Sequence, residues 1–368
     1  MYIWQHNEWP RFRYQLPGLE DLLYLFAERV GRVSGAWHAL AEPNRQEAML
    51  QIMSAEAVKS SEIEGLQLNR GDVYSSIQKN LGLALDEKHI GDRRAAGAAE
   101  LMVAVRQSWD RPLTADALCD WQYRLLAGSS GIQIGSWRES LEPMRIVSGP
   151  LGRETVHFEA PPASRVPGEM QQFLQWFNNT APGGSMSRLE TPVRSALAHL
   201  YFETIHPFED GNGRIGRAVA EKALSQGVGR PVLLSLSGAL ESDRRAYYAA
   251  LGHAQRNLEV TEWLRYFLQV ILKAQTMSEQ LIDFALKKIR FFERFEQRLN
   301  NRQLKVVRRM LQEGPEGFVG GMSARKYVGI AGTSKATATR DLQELRDMGA
   351  IGIRGSAGGR STSYDIRL

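Results

Sequence analysis

A twelve-residue segment, residues 206–217, constrains this chain more than any other, because it places a sharp turn directly before a helical pattern. Gly211-Asn212-Gly213 can bend so that successive backbone N–H groups converge, since glycine has no steric penalty at positive φ. Residues 217–224 then have the composition of an α-helix. The turn is therefore predicted at a helix N-terminus, where free N–H groups and the helix dipole both favour an anion.

The same segment carries four side chains with distinct chemistry. His206 can accept a proton near neutral pH, and Asp210 is a hard oxygen ligand suited to Mg²⁺. Arg214 and Arg217 are three positions apart, so both can face the same side of the first helical turns. We predict that this segment holds a nucleotide polyphosphate beside a proton acceptor.

Residues 206–217 match the signature of the Fic family at every defined position: His, any residue, Phe, any residue, Asp or Glu, Gly-Asn-Gly-Arg, any two residues, Arg. Three other segments resemble parts of the Fic core, namely 135–138, 156–162 and 198–202. The resemblance extends over roughly residues 95–275. It implies a mainly α fold, with a Fic-type helical core and a short β-hairpin flap.

Fic proteins typically transfer AMP from ATP to a Ser, Thr or Tyr hydroxyl on a target protein, and hydroxyls of the same chain are also candidate acceptors. The resemblance implies that His206 is the general base, that Phe208 anchors the loop in the core, and that Asp210 binds the Mg²⁺ that bridges the phosphates. Such chemistry depends mostly on positioning and charge neutralisation.

The resemblance also implies the nucleotide contacts. Gly211 and Gly213 would supply backbone N–H groups, and Asn212 would hold the α-phosphate. Arg214 and Arg217 would pair with the β- and γ-phosphates. ATP as substrate and Mg²⁺ are therefore the expected small-molecule partners.

A hairpin is predicted from residues 143–158, with a Gly149-Pro150 turn. In the Fic family a flap here clamps the target segment by β-augmentation, so Val156, His157 and Phe158 are predicted to contact the target. The alternative is a surface hairpin without a ligand.

A helix from about Asn44 to Glu64 matches an inhibitory helix found in many Fic proteins. Ser60, Glu64 and Gly65 fit its pattern of Ser or Thr, any three residues, Glu, then Gly or Asn. In those proteins the Glu pairs with the second motif arginine, here Arg217, and a carboxylate in the guanidinium fork competes with the γ-phosphate. The alternative is a solvated helix-end Glu followed by a glycine C-cap.

The C-terminal segment is basic. From Gln297 onward there are thirteen Lys or Arg against six Asp or Glu, a net of +7, whereas the whole chain carries +5. This leaves −2 for the rest of the chain, so the asymmetry points to nucleic acid at the C-terminal end.

The pattern of three short helices and a terminal hairpin in this segment resembles a winged helix-turn-helix, whose third helix enters the major groove of DNA. Contact with another protein is the alternative. The candidate DNA contacts lie on the third helix and on the hairpin wing: Lys335, Thr337, Thr339, Arg340, Arg354 and Arg360.

A long helix is predicted between the Fic core and this segment, with apolar residues at alternating steps of three and four. The favoured interpretation is that this stripe packs inside the chain, and the alternative is self-association into a homodimer. The stripe comprises Phe267, Val270, Ala274, Met277, Leu281, Phe284, Phe291 and Phe295, with Lys288 as the one charged residue at this spacing.

We predict four regions: an N-terminal helical region (1–95), the Fic catalytic core (96–275), a linker helix (276–297) and the winged helix-turn-helix (298–368). The sequence has no apolar run near ~18 residues and no signal-peptide pattern, and Cys119 is its single cysteine. A cytoplasmic protein without a membrane partner is therefore expected.

Two other functions stay open. The chain could be a DNA-binding regulator whose Fic core senses nucleotide. It could also be a Fic enzyme that removes AMP or uses another phosphate-containing donor.

Overall fold

The computed structural model describes residues 1–83, 92–127, 129–148, 155–354 and 362–368. The prediction of a mainly helical fold is confirmed. The helices within these ranges are α1 (Glu20–His38), α2 (Glu42–Ile63), α3 (Arg70–Asn80), α4 (Arg93–Gln107), α5 (Ala115–Leu126), α6 (Val166–Asn179), α7 (Thr191–Ile205), α8 (Asn212–Val228), α9 (Leu236–Glu241), α10 (Arg244–Ala254), α11 (Thr261–Phe295), α12 (Asn301–Leu311), α13 (Ala324–Ala331) and α14 (Lys335–Asp347).

Within the same described ranges, four short strands form two separate antiparallel pairs. β1 (Arg145–Ser148) pairs antiparallel with β2 (Thr155–Glu159), and β3 (Ile351–Ile353) pairs antiparallel with β4 (Tyr364–Ile366). The register of the first hairpin shifts between Ile146 and Val147, because Ile146 lies opposite Phe158 whereas Val147 lies opposite Val156. Such a bulge bends the strand and redirects its side chains.

The chain divides into two compact units. Unit 1 comprises residues 1–36 and 52–277, and unit 2 comprises residues 37–51 and 278–368. Helices α1, α2 and α11 contribute residues to both units. The four predicted regions, with boundaries at 95, 275 and 297, stay a prediction.

Helix α7 is the central element of unit 1. Every residue from 192 to 205 is buried, which is the pattern of a helix surrounded by other elements. It packs closely against α8, and Pro192 lies in its first turn, where a missing N–H has no consequence. The residue after α7 is His206, so the packing of these two helices positions the whole segment 206–217.

The N-terminal segment completes this core with aromatic side chains. Trp9 and Phe12 both meet the ring of Tyr201 on α7, at centroid distances of 5.0 and 5.7 Å. The indole N–H of Trp9 donates to Glu169 Oε2 at 2.8 Å, so its polar edge is also satisfied.

Most of the apolar stripe of α11 is buried inside the chain. Phe267, Val270 and Ala274 lie in the core of unit 1, and Phe284 and Phe291 lie in the core of unit 2. The interpretation as internal packing therefore accounts for the stripe, and self-association through it is not needed.

Unit 2 ends with three helices followed by a β-hairpin, the order predicted for a winged helix-turn-helix. Asp341 on α14 is buried and links the helices, because it accepts hydrogen bonds from Arg302 Nε at 2.9 Å and from the Tyr327 hydroxyl at 2.9 Å. Burial alone would raise the pKa of Asp341, but these hydrogen bonds lower it overall.

Over the described ranges, no helix combines the length and apolar character needed to cross a membrane.

Candidate functional site

His206 caps the end of α7 in a left-handed conformation, with φ 52° and ψ 60°. This region is unfavourable for a residue with a Cβ, so surrounding contacts must hold it. Arg138 supplies them: its Nε donates to the carbonyl of His206 at 2.8 Å, and its Nη2 donates to the carbonyls of Pro161 and Ile205. The buried guanidinium thus fixes the turn that presents the imidazole.

Arg138 and Gln122 also hold this site, although neither was predicted as a site residue from the sequence. The side-chain amide of Gln122 donates to the carbonyl of Asp210 at 3.3 Å, and its oxygen accepts from the N–H of Gly135. Gln122 is fully buried on an otherwise apolar face of α5. Gln122 could have been identified from the sequence as a single amide on an apolar helical face, since a buried amide needs hydrogen-bond partners.

The His206 imidazole is neutral at physiological pH. Burial lowers its pKa to about 4, and the positive charge of Arg138 acts in the same direction. The Glu203 carbonyl and the charges of Glu64 and Asp210 act against this shift. With 14% of its side chain exposed, His206 is a buried base with a reachable edge.

Phe208 and Asn212 close the loop between α7 and α8. The Phe208 ring is buried, with Trp137 at a centroid distance of 4.9 Å. The Phe208 N–H donates to Asn212 Oδ1 at 2.9 Å, and Asn212 Nδ2 donates to the Phe208 carbonyl at 2.7 Å. Asn212 therefore has a loop-closing role here, in addition to the phosphate contact that the resemblance implies.

The start of α8 presents donors that lack a partner. Gly211 is the N-cap residue, with φ 88°, and no side chain caps this end. Arg214 and Arg217 are buried, and Arg214 Nε and Arg217 Nη1 have no hydrogen-bond partner among the residues described. Buried N–H groups of charged side chains are costly when unpaired. An anion at the helix start would satisfy them.

Glu64 lies directly over this helix start. Its Oε1 accepts from Arg217 Nη2 at 2.9 Å, and a Cβ added to Gly213 would lie 2.2 Å from the same oxygen. Ser60 adds two contacts, since its hydroxyl accepts from Arg217 Nε at 3.0 Å and its carbonyl accepts from Nη2 at 2.8 Å. The end of α2 thus occupies most of the guanidinium fork.

Helix α2 begins at Glu42, two residues before the predicted start near Asn44. The carbonyl of Ala41 accepts from the N–H groups of Asn44 and Arg45, and Pro43 fits the first turn because it needs no N–H partner there. The helix ends at Ile63, and Gly65 follows with φ 79°, which favours glycine at a helix end.

The sequence of the site matches a known family. Residues 112–224 match the Fic/DOC family, and residues 2–83 match a domain of unknown function, DUF4172. Residues 112–224 are a Fic/DOC domain. A probable protein adenylyltransferase of Aquifex aeolicus (strain VF5) is 30% identical over 98 residues. That match covers 27% of this chain and 27% of the relative, so it spans about a quarter of the relative's length.

Solved structures share the fold. A Fic family protein from Desulfovibrio desulfuricans G20 has a TM-score of 0.55 and 20% identity, with 97% of this chain and 98% of that chain covered. A Fic domain containing signaling protein from Bacteroides thetaiotaomicron VPI-5482 has a TM-score of 0.54 and 17% identity, with coverage of 69% and 97%. At these identities the likeness concerns the fold alone.

Asp210 is the exposed carboxylate of the Fic segment. Its Oδ1 accepts from the N–H of Gly211 at 2.6 Å, and its Oδ2 lies 3.6 Å from Arg214 Nη2. Across the described residues, no group of three or more His, Cys, Asp or Glu is placed to hold a metal ion. A metal at Asp210 would therefore take its remaining ligands from a bound phosphate or water, as Mg²⁺ commonly does.

The flap of the Fic domain turns its three predicted contact residues in different directions. Val156 and His157 are exposed, whereas Phe158 is 2% exposed and meets the ring of Tyr2 at 5.1 Å. The bulge at His157 explains why two successive residues face outward. Phe158 thus belongs to the core in this structure. The predicted Gly149-Pro150 turn lies outside the described residues.

The candidate DNA contacts on α14 differ in exposure. Lys335, Thr339 and Arg340 are exposed. Thr337 is half-buried and belongs to the helix cap, because its N–H donates to Ser334 Oγ at 3.2 Å.

The two candidate DNA contacts on the wing are Arg354 and Arg360, and the structure describes only Arg354. Arg354 is exposed but contacts its own unit, with Nη1 donating to the carbonyl of Phe318 at 3.3 Å and Nε 3.7 Å from Asp365 Oδ2. Arg360 and the tip around residues 356–359 lie outside the described residues.

Proposed function

We propose that this chain transfers AMP from ATP to Ser, Thr or Tyr hydroxyls of a target protein. One observation carries the proposal: a neutral buried imidazole, His206, stands beside a helix start whose buried arginines keep unpaired donors. The Fic/DOC match and the name of the Aquifex aeolicus relative support this class of reaction. The same fold serves many functions, so the proposal rests on the site.

In the proposed reaction, His206 takes the proton from the target hydroxyl as its oxygen attacks the α-phosphorus. The bond between the α-phosphorus and the β-bridging oxygen breaks, and its electron pair leaves with pyrophosphate. Arg214 and Arg217 offset the charge on the leaving group, and the N–H group of Gly213 at the start of α8 holds the phosphate. Exposed Val156 and His157 on the flap are the proposed target contacts.

Asp210 fits a Mg²⁺ ligand. It is exposed, it precedes the helix start directly, and one or two carboxylates with substrate phosphates are a common Mg²⁺ site. When bound, Mg²⁺ would neutralise phosphate charge.

We further propose that Glu64 inhibits the site. Its carboxylate occupies Arg217 and covers Gly213, so it competes with phosphate for both donors. A hydrogen bond to a charged group contributes about 1.5–3 kcal/mol. The Glu64 side chain is 30% exposed, which places the pair at the lower end of that range and predicts activation on the order of tenfold when the carboxylate is removed.

The experiment is incubation of the full chain and a cell lysate with ATP labelled at the α- or the γ-phosphate. Wild type is compared with Glu64→Gln, and Glu62→Gln is the matched control, because Glu62 pairs with Lys59 instead of Arg217. Label from the α-phosphate alone, increased by Glu64→Gln and unchanged by Glu62→Gln, supports both proposals.

Three results would count against them. Label from the γ-phosphate alone would mean phosphate transfer, and loss of AMP from a modified protein would mean AMP removal. Equal activity of Glu64→Gln and wild type would contradict the inhibitory role while leaving transfer intact. Label on the chain itself would identify self-modification.

A second function is proposed for unit 2, which carries the basic C-terminal segment. We propose that α14 binds duplex DNA, because Lys335 and Arg340 are exposed on it and follow a helix-turn-helix order. This proposal rests on the exposed positive charges of α14 and on the order of the helices in unit 2.

A further inference from the structure

The carboxyl of Glu203 is buried beside the imidazole of His206. Glu203 lies in the last turn of α7, three residues before His206, and its side chain is 5% exposed. Its Oε2 is 3.8 Å from His206 Nδ1. A carboxylate this well buried is rarely found without a partner.

Helix α8 leaves room for this carboxyl. A Cβ added to Gly216 would lie 2.3 Å from Glu203 Oε1 and 3.3 Å from the Phe202 ring, so no larger residue fits unless Glu203 moves. Glycine inside a helix is less favourable than alanine by about 1 kcal/mol. The clearance for Glu203 gives a physical reason for glycine at this position.

One polar atom of each of these two side chains is unpaired. Glu203 Oε1 and His206 Nδ1 are buried and have no hydrogen-bond partner in the part of the chain that the structure describes. Such groups are usually satisfied, and catalytic hydrogen bonds are often long in the free enzyme and shorten in the complex. A movement of about 1 Å would bring Oε2 within hydrogen-bond range of Nδ1.

We propose that Glu203 is the positioning residue for His206. Its carboxylate accepts a hydrogen bond from Nδ1–H of His206, which leaves Nε2 unprotonated and orients it toward the target hydroxyl. When the hydroxyl proton moves to Nε2, the Nδ1 proton stays on the ring, and the negative carboxylate offsets the positive charge of the imidazolium. This inference rests on the proposed function of His206 as the base.

The charged and titratable groups around Glu203 come from four elements. They are Arg217 on α8, Glu64 after α2, Tyr247 and Tyr248 on α10, and His206 after α7. Burial raises the pKa of Glu203 to about 8, which Arg217 opposes and Glu64 reinforces. The carboxyl is therefore mostly protonated at neutral pH and gains its negative charge as the pH rises through about 8.

The first test is kinetic and uses Glu64→Gln as the parent, with kcat and KM for ATP measured from about pH 6 to pH 9.5. We expect kcat of the parent to rise through the titration of Glu203. Glu203→Gln should lose this rise and lower kcat by about 10- to 100-fold, less than the 10²–10⁴-fold loss of the base itself. Glu203→Asp should keep the rise and part of the activity.

An unchanged pH profile in Glu203→Gln would overturn the proposal. A raised KM for ATP with unchanged kcat would also overturn it, because Glu203 would then serve Arg217 and the nucleotide.

A second measurement does not depend on activity. In the ¹⁵N spectrum of the histidine rings, the His206 signals should shift as Glu203 ionises, and this step should be absent in Glu203→Gln. If the His206 signals show this step but the protein transfers no AMP, the contact between Glu203 and His206 stands and the proposed function does not. Its absence in wild type would overturn the contact whether or not transfer occurs.

Misfolding of Glu203→Gln is separately testable. Because the pKa of Glu203 is higher in the folded state, its contribution to stability is present below pH 4.5 and is lost as the pH rises to about 8. Gln removes that loss, so thermal unfolding of Glu203→Gln at pH 8 should occur no earlier than that of wild type.

Discussion

The start of helix α8 and the start of helix α14 carry similar residue types in opposite surroundings. Both helices begin after a turn and place basic side chains on their first turns, Arg214 and Arg217 on α8 and Lys335 and Arg340 on α14. Arg214 and Arg217 are only 6% and 1% exposed. Lys335 and Arg340 are exposed.

This difference decides what each helix start can recognise. Buried guanidinium groups bind an anion through fixed hydrogen bonds, and water and salt compete weakly there. Exposed cations attract a polyanion through long-range electrostatic attraction. Salt at 0.1 M screens this attraction at distances beyond about 10 Å. We therefore expect shape-specific chemistry at α8 and salt-dependent association at α14.

The largest expected effect concerns the site at the start of α8 and tests whether chemistry takes place there. His206→Ala should lower AMP transfer by about 10²–10⁴-fold, because the hydroxyl then has no base, while ATP binding is retained. His253→Ala, which removes an exposed histidine on α10, is the matched control. Transfer assays and calorimetric ATP binding on both variants check this outcome. Full transfer by folded His206→Ala would remove the role assigned to this residue.

A smaller expected effect tests whether Glu64 inhibits the site at the start of α8 through its direct contact with Arg217 or through its charge at a distance. Glu64→Gly should activate the wild type on the order of tenfold. In an Arg217→Ala background it should give no activation, because the partner that it releases is absent. Groups in direct contact are non-additive, whereas distant charges add. Equal activation in both backgrounds would show that Glu64 acts only by covering Gly213.

The residues near one another in the sequence were predictable, and those brought together over long distances were not. Residues 206–217 form a local signature, so the turn, the helix start and the base could be read from the chain. Arg138 and Gln122 contact this segment from 68 and 88 residues away. The pattern of residues 206–217 itself does not predict which distant side chains contact it. Glu203 lies within the helical pattern of α7, where its burial depends on the clearance at Gly216.

Two local features also differ from the sequence pattern for physical reasons. The helix was predicted from about Asn44, but Pro43 already fits the first turn, so α2 starts at Glu42. Phe158 was predicted on the flap as a target contact, but the bulge at His157 turns its side chain into the core. Bulges and helix starts depend on one residue each, which makes them harder to predict than the helices themselves.

The smallest expected effect tests the α14 side. The full chain should bind a duplex DNA of random sequence with an affinity that falls steeply with salt. Lys335→Ala and Arg340→Ala should each reduce the slope of log affinity against log salt by about 1. Lys305→Ala removes the same charge from the exposed face of α12 and should leave the slope unchanged. Fluorescence anisotropy at several salt concentrations measures all four proteins. Equal losses in all three variants would show that net charge alone is responsible, and no binding at low salt would favour a protein contact for this helix.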